Sequence, residues 1–284
     1  MTSSTATLRV RPLTTADREV VLPFVERDPV RDVFIASRIR HDRALTAGGW
    51  GPLWGAFEGD RLTGVLHVGP NMVPAVDTPD ALDALASVAT GPGPARMVVG
   101  ERFTVERLWS RISASYAEPR EIRARQFVYV LTADQLAPVA GGAVAELAAP
   151  GDEGDVVEVS AAMHLEEMGE DPMVLDPAGY RRRVRSLIER RWTFLYRVSG
   201  RIAFKMDIGC AGDRTGQIQG VYTPPGLRRR GVATAGMAAC CVLALERFPV
   251  LSLYVNDFNT PAVALYERLG FTRAPYDFQT VLLA

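Results

Sequence analysis

The run Gln217-Ile-Gln-Gly-Val-Tyr-Thr223 alternates as a β-strand does, and Pro224-Pro225 ends it, because proline has no N–H to give a ladder. Past Gly231 the residues are helix-compatible without a break from Val232 to Arg247. A strand that opens through a turn into a helix leaves the first N–H groups of that helix without intrahelical acceptors. Those amides and the positive end of the helix dipole attract anions, phosphate above all. Gly231 and Ala233 suit that role, since a larger side chain would hold a diphosphate off the backbone. Arg228, Arg229 and Arg230 add positive charge beside it. An arginine run is more often a solvated face, so this turn alone assigns nothing.

A second segment changes the balance. Leu251 to Val255 reads as a strand, and Thr260-Pro261 as a helix start, with a capping hydroxyl and proline in the first helical position. Gly270 is placed to end that helix. Ala262 and Tyr266 share one of its faces at i, i+4. A phenol at Tyr266 suits either a core side chain with a satisfied hydroxyl or a proton donor. Asn259 suits a turn cap, a ligand contact, or both. Arg228-x-x-Gly231-x-Ala233 resembles the R/Q-x-x-G-x-G/A pyrophosphate motif of the GCN5-related N-acetyltransferases, the GNAT family. Asn259-x-x-Ala262-x-x-Leu265-Tyr266-x-x-Leu269-Gly270-Phe271 is similar to the second cofactor segment of that family. The likeness is close over Val221 to Phe271 and extends from about Ala143 to the C-terminus.

The resemblance implies an α/β chain of two GNAT-like domains, residues 1–136 a degenerate copy and residues 143–284 the catalytic one. Each is expected to be a mixed, mostly antiparallel sheet flanked by helices. The catalytic one would add a splayed parallel strand pair, its strands ending near Thr223 and Val255, with acetyl-CoA wedged between them as co-substrate. The backbone of Val221, Tyr222 and Thr223 would pair with the pantetheine like an added strand. Arg228 opens the pyrophosphate motif, and the amides of Arg229, Arg230, Gly231, Val232, Ala233 and Thr234 would hold the diphosphate. Asn259 would bond the pantetheine arm, and Tyr266 would lie by the thioester sulfur and protonate the leaving thiolate.

The implied reaction is direct attack by a neutral primary amine in a ternary complex, with a backbone N–H near Tyr222 or Thr223 polarising the carbonyl. Many relatives carry a glutamate base on one of the two strands. The matching positions here are Gln217, Gln219 and Tyr254, which leaves Glu166, Glu167, Asp207 or bulk water. The acceptor is a small-molecule or protein amine. One alternative is a small-molecule acetyltransferase resembling mycothiol synthase; another is a non-catalytic acyl-CoA sensor, which the missing carboxylates would allow. A peptidyl transferase using a charged tRNA is disfavoured by the pyrophosphate motif and by the absence of net basic charge.

Other chemistry-bearing residues read more plainly. Cys240 and Cys241 lie mid-helix among alanines as small buried thiols, and Cys210 follows Gly209 in an expected loop with no histidine nearby to activate it. His41, His67 and His164 show no metal-ligand spacing, so no metal is expected. The arginines at 181–183, 185, 190 and 191 form a basic run on an expected helix, a solvated face first and a contact for an acidic group or the CoA 3′-phosphate second. The acidic stretch Glu166 to Asp171 suits a rim for a cationic amine or a solvated loop equally well.

The elements that must position these residues repeat. Leu8–Arg11, a helix over Asp17–Glu26 and a hairpin of Leu53–Phe57 with Leu62–Val68 are echoed by Ala143–Leu147, a helix over Asp155–Met168 and a hairpin of Trp192–Val198 with Ile202–Ile208. The hairpins lie about 140 residues apart, as in an old duplication. Ala137-Pro-Val-Ala-Gly-Gly142 is the expected linker. The first half continues through Asn71–Ala75, a helix near Pro79–Val88, a strand at Arg96–Val99, a helix at Val105–Ser113 and a strand at Gln126–Leu131, with no glycine-rich turn before a helix.

The 284 residues are 48% hydrophobic and 23% charged, a globular composition long enough for two domains. The net charge of −1 argues against coating nucleic acid. Lys205 is the only lysine among 32 basic side chains, a bias that suits a genome rich in G and C better than a mechanism. Met1 to Thr7 lacks the pattern of a targeting segment, and Val232 to Leu245 is too short to cross a bilayer. Free thiols suit the cytoplasm, as a monomer or homodimer.

Overall fold

The computed structural model describes residues 8–46, 51–91, 93–138 and 142–283. Met1 to Thr7 and the linker residues Val139, Ala140 and Gly141 lie outside the described residues. In chain order the first half contains β1 (Leu8–Pro12), α1 (Arg18–Val25), α2 (Val33–His41), β2 (Leu53–Glu58), β3 (Arg61–His67), β4 (Asn71–Val76), α3 (Pro79–Ala86), β5 (Met97–Glu101), α4 (Arg102–Ile112) and β6 (Glu121–Leu131). The second half contains β7 (Ala145–Leu147), α5 (Glu153–Met168), α6 (Pro172–Leu175), α7 (Pro177–Glu189), β8 (Thr193–Val198), β9 (Arg201–Ala211), β10 (Thr215–Tyr222), α8 (Val232–Leu245), β11 (Val250–Asn256), α9 (Thr260–Arg268) and β12 (Thr272–Leu282).

These elements pack as two units. One comprises Met1–Val128, Tyr254–Asn259 and Arg273–Ala284, the other Tyr129–Leu253 and Thr260–Thr272. In the first unit β1 to β4 form an antiparallel meander, β5 lies parallel to β4, and β12 pairs antiparallel with β5 from Phe278↔Glu101 to Leu282↔Met97. Neighbouring strand residues point to opposite faces, and both faces are buried. Phe57, Val65, Val73 and Val99 pack with Val21, Phe24 and Ile35 of α1 and α2, while Ala56, Leu66, Met72 and Val98 pack with Leu82, Leu85, Val105 and Leu108 of α3 and α4.

The second unit repeats the pattern. Strands β7 to β10 are successively antiparallel and β11 is parallel to β10. The β8–β9 hairpin turns on Ser199 (φ 50°) and Gly200 (φ 76°), the double left-handed turn that matches strand twist. Helices α5 and α7 cover one sheet face through Val156, Val157, Val184 and Ile188 against Leu195. On the other face α8 comes close at Gly236, where a Cβ would stand 2.5 Å from that of Phe204. That contact requires glycine.

Three boundaries differ from expectation by three residues or more. Helix α4 starts at Arg102 because the Glu101 carboxylate accepts from the Phe103 and Thr104 amides (3.2 and 2.8 Å). Strand β6 starts at Glu121, where alternating exposed charges disguise an extended segment as a loop. Strand β9 runs to Ala211, so Cys210 is a buried strand residue and not a loop residue. It can continue there because Gly209 leaves room for the Gln219 side chain across the ladder.

Candidate active site

Strand β10 outruns its pairing with β11. Its parallel register with β11 runs through Thr215↔Val250, Gly216↔Leu251 and Gln217↔Ser252 and stops, although β10 continues for five residues to Tyr222. From Ile218 onward, the backbone groups on that side of β10 have no β11 partner among the described residues. On its other side β10 stays paired with β9 but is bulged: Gln219 faces Asp207 and Tyr222 faces Lys205, so Gly220 and Val221 together oppose one residue. Gly220 takes the left-handed φ of 62° that such an insertion needs. A bulge bends a strand and increases its twist, which parts it from a neighbour.

The turn after β10 is built for an anion. Arg229 (φ 61°) and Gly231 (φ 77°) are both left-handed, and Arg228 through Gly231 are exposed. Gly231 caps α8 with no side-chain bond, and the first turn of the helix holds no acidic residue. Ala235 is the first amide to find an acceptor, donating to the Gly231 carbonyl at 3.0 Å. Among the described residues, the N–H groups of Arg229, Arg230, Gly231, Val232, Ala233 and Thr234 donate to no protein acceptor. Nothing lies within 4 Å of where a Gly231 Cβ would be. Six donors and the Arg229 and Arg230 side chains, none with a partner among the described residues, stand with the helix dipole in a cradle of the kind that holds phosphate.

Arg228 is spent differently. Its Nε donates to the Thr223 carbonyl (2.8 Å), and its guanidinium forks onto both oxygens of Glu166 on α5 (2.8 and 2.7 Å). The same group lies 5.4 Å from the Tyr222 ring centroid. Its side chain thus ties the turn to β10 and α5. The bond from Arg228 holds the Glu166 carboxyl below the usual range, and burial raises the Tyr222 phenol.

Tyr266 is 6% exposed, packed against the rings of Tyr129 and Phe271 at 6.3 and 5.6 Å between centroids. Its hydroxyl has no partner among the described residues. Burial raises this phenol well above the ordinary tyrosine range, and the charge of Glu167 and the Cys241 thiol add to the effect. Thus the C-terminal end of α5 links the two motifs: Glu166 holds Arg228 and Tyr222, and the field of the next residue reaches Tyr266.

Residues 170–271 match the model of the acetyltransferase (GNAT) family. The second half of the chain carries a GNAT domain. Residues 51–144 match a domain of unknown function (DUF4081). No curated protein matches the sequence. Solved structures share the fold across nearly the whole chain. A GNAT-family acetyltransferase from Colwellia psychrerythraea is 11% identical, with 97% of this chain and 100% of that one covered at a TM-score of 0.59. A GCN5-related N-acetyltransferase from Sphaerobacter thermophilus is 18% identical, with 97% and 95% covered at 0.58. A tandem GNAT protein of the clavulanic acid biosynthesis pathway is 13% identical, with 97% and 98% covered at 0.50. The chain therefore has a tandem GNAT architecture with a divergent first copy.

That first copy keeps the shape and loses the donors. The β4–β5 register also stops early, after Met72↔Val98, but the next part of β4 carries Pro74, which has no N–H. Helix α3, the counterpart of α8, is closed by Thr78 accepting from Ala81 (3.2 Å), by Pro79 and by the negative charge of Asp80. Helix α4 is closed by Glu101.

Within the GNAT domain the other expected groups fall as follows. Val221, Tyr222 and Thr223 line the parted end of β10, while Asn259 lies in the segment grouped with the first unit, its N–H on the Asn256 carbonyl (2.9 Å). Asp207 is no free base: Lys205 Nζ donates to its Oδ2 (2.5 Å) and the Thr193 hydroxyl to its Oδ1 (2.8 Å). Burial keeps Cys240 and Cys241 as protonated thiols. In the basic run Arg185 pairs with Glu153 (2.8 Å), a solvated salt bridge. The His164 ring packs 6.0 Å from that of Tyr180, whose phenol burial pushes up to about 12. Tyr129 and Tyr180 escaped sequence reading because neither belongs to a motif. Lys205 did carry a signal, as the sole exception to an arginine-only chain. Among the described residues, no helix is long and apolar enough to cross a membrane.

Proposed function

We propose that residues 143–284 act as an acetyl-CoA-dependent N-acetyltransferase and that residues 1–136 are its non-catalytic partner. The observation that carries this reading is the run of six unpaired N–H groups, Arg229 to Thr234, at the open mouth of α8. They would hold the diphosphate, with Gly231 and Ala233 allowing close approach. The parted end of β10 would give Val221, Tyr222 and Thr223 to the pantetheine as an added strand, with Asn259 contacting the same arm. A backbone N–H at Tyr222 or Thr223 would polarise the acetyl carbonyl as a neutral primary amine attacks in a ternary complex, the C–S bond breaking and the amine's surplus proton leaving to bulk water. Tyr266, kept protonated by burial and without a partner for its hydroxyl, would give its proton to the departing thiolate. Arg228 acts here through Glu166, fixing the turn against α5. The buried thiols suit a reducing cytoplasm.

The acidic end of α5 favours a cationic amine, small or on a protein. Release of free CoA thiol, measured across a panel of amines, tests the reading. Turnover with at least one amine, reduced about 10²-fold in Tyr266→Phe, is expected. Saturable acetyl-CoA binding with no turnover on any amine would contradict it and favour a sensor.

A further inference from the structure

We propose that Lys205 and Asp207 are positioning residues, a buried ion pair that holds the β10 bulge in register and with it the strand that aligns the acetyl carbonyl. The last clause rests on the function proposed above. The pair belongs to β9, on the face covered by α5 and α7, since Lys205 registers with Leu195 and Asp207 with Thr193. Lys205 is 1% exposed and Asp207 6%. Their contact is 2.5 Å, and the Thr193 hydroxyl takes up the second carboxylate oxygen at 2.8 Å.

The placement matters more than the contact. Lys205 registers with Tyr222 and Asp207 with Gln219, the two residues that flank the bulge on β10. The pair therefore spans the insertion. Gly220 lies directly over it: a Cβ there would stand 2.8 Å from Asp207 Oδ2 and 3.1 Å from Lys205 Nζ, and Nζ is 3.5 Å from the Gly220 carbonyl oxygen. A bulge can slide along a ladder, because each register leaves a similar number of bonds. A charge pair seated under a single glycine penalises every register that would place a side chain over it.

The residue type supports the same conclusion. Every other basic residue in the chain is arginine, so the one lysine stands where a compact ammonium is needed. A guanidinium is a broad planar fork and would not fit beneath Gly220 beside a carboxylate.

The single lysine also provides the test. With uniform 15N labelling, one lysine ammonium signal should survive solvent exchange at neutral pH and shift with the Gly220 and Val221 amides on addition of acetyl-CoA. An ammonium signal lost to exchange overturns the buried pair. Lys205→Met/Asp207→Leu removes both charges and strands neither. It is expected to melt cooperatively while the Gln219–Tyr222 amide signals move or broaden. Its kcat should fall about ten-fold or more, with the KM for acetyl-CoA within about two-fold of wild type. Lys205→Arg, which keeps the charge, should not restore kcat. Unmoved Gln219–Tyr222 amides in the double variant overturn the proposal, and so does an unchanged kcat. A wild-type chain that ignores acetyl-CoA overturns the proposed function instead, and the amide signals still decide the role of the pair.

Discussion

At the scale of single residues, the account turns on one phenol. Tyr266 packs against the rings of Tyr129 and Phe271, and its hydroxyl has no partner among the described residues. As a proton donor it is worth about 10²-fold in kcat, so Tyr266→Phe should lose that factor with little change in acetyl-CoA affinity. Its raised pKa fixes the sign of two pH effects. A raised phenol stays protonated in the folded protein above the unfolded value of 10.0, so its contribution to stability is complete below pH 10.0 and declines above it. For the same reason, Tyr266 places no alkaline limb on kcat below about pH 10. A downturn near pH 8, present in wild type and absent from Tyr266→Phe, would contradict this assignment. The helix position of Tyr266 was legible from Thr260-Pro261 and the i, i+4 spacing to Ala262. Its surroundings were not, because Tyr129 and Glu167 come from segments more than 90 residues away.

At the scale of elements, the decisive feature is the passage from β10 through a left-handed turn into α8. Gly231 has φ 77° and open space before it. Gly231→Val should cost about 1–2 kcal/mol of stability through backbone strain alone. It should also weaken CoA binding by about ten-fold or more, since the branched side chain covers the amides. Thermal melts and a CoA titration separate the two effects; a lowered melting temperature with unchanged affinity would remove the turn from the binding site. The strand, the double proline and the helix were all readable, because each is a local matter of alternation, a missing N–H and helix-compatible composition. The bulge at Gly220–Val221 was not. On the inference above the Lys205–Asp207 pair on the neighbouring strand holds it in place, and no local pattern reports which residues a strand will face. Likewise Arg228 carried the right motif, yet Glu166, 62 residues earlier, determines what its guanidinium does.

At the scale of the whole chain, two similar folds have unequal helix mouths. Helix α8 is open, whereas Thr78, Pro79, Asp80 and Glu101 close α3 and α4. Calorimetric titration should therefore return one acetyl-CoA per chain, and a stoichiometry of two would show that the first copy binds as well. The duplication was legible in the repeated strand, helix and hairpin. The grouping of the last strand with the first unit was not, because β12 pairs with β5 across some 180 residues of chain.

The central claim concerns six amides. Backbone chemical shifts followed during a titration with acetyl-CoA test it most directly. The N–H signals of Arg229 to Thr234 should move together, saturate at one equivalent, and do so with CoA as well as its acetyl ester, because both carry the diphosphate. Saturable binding that leaves those six signals in place would contradict the account.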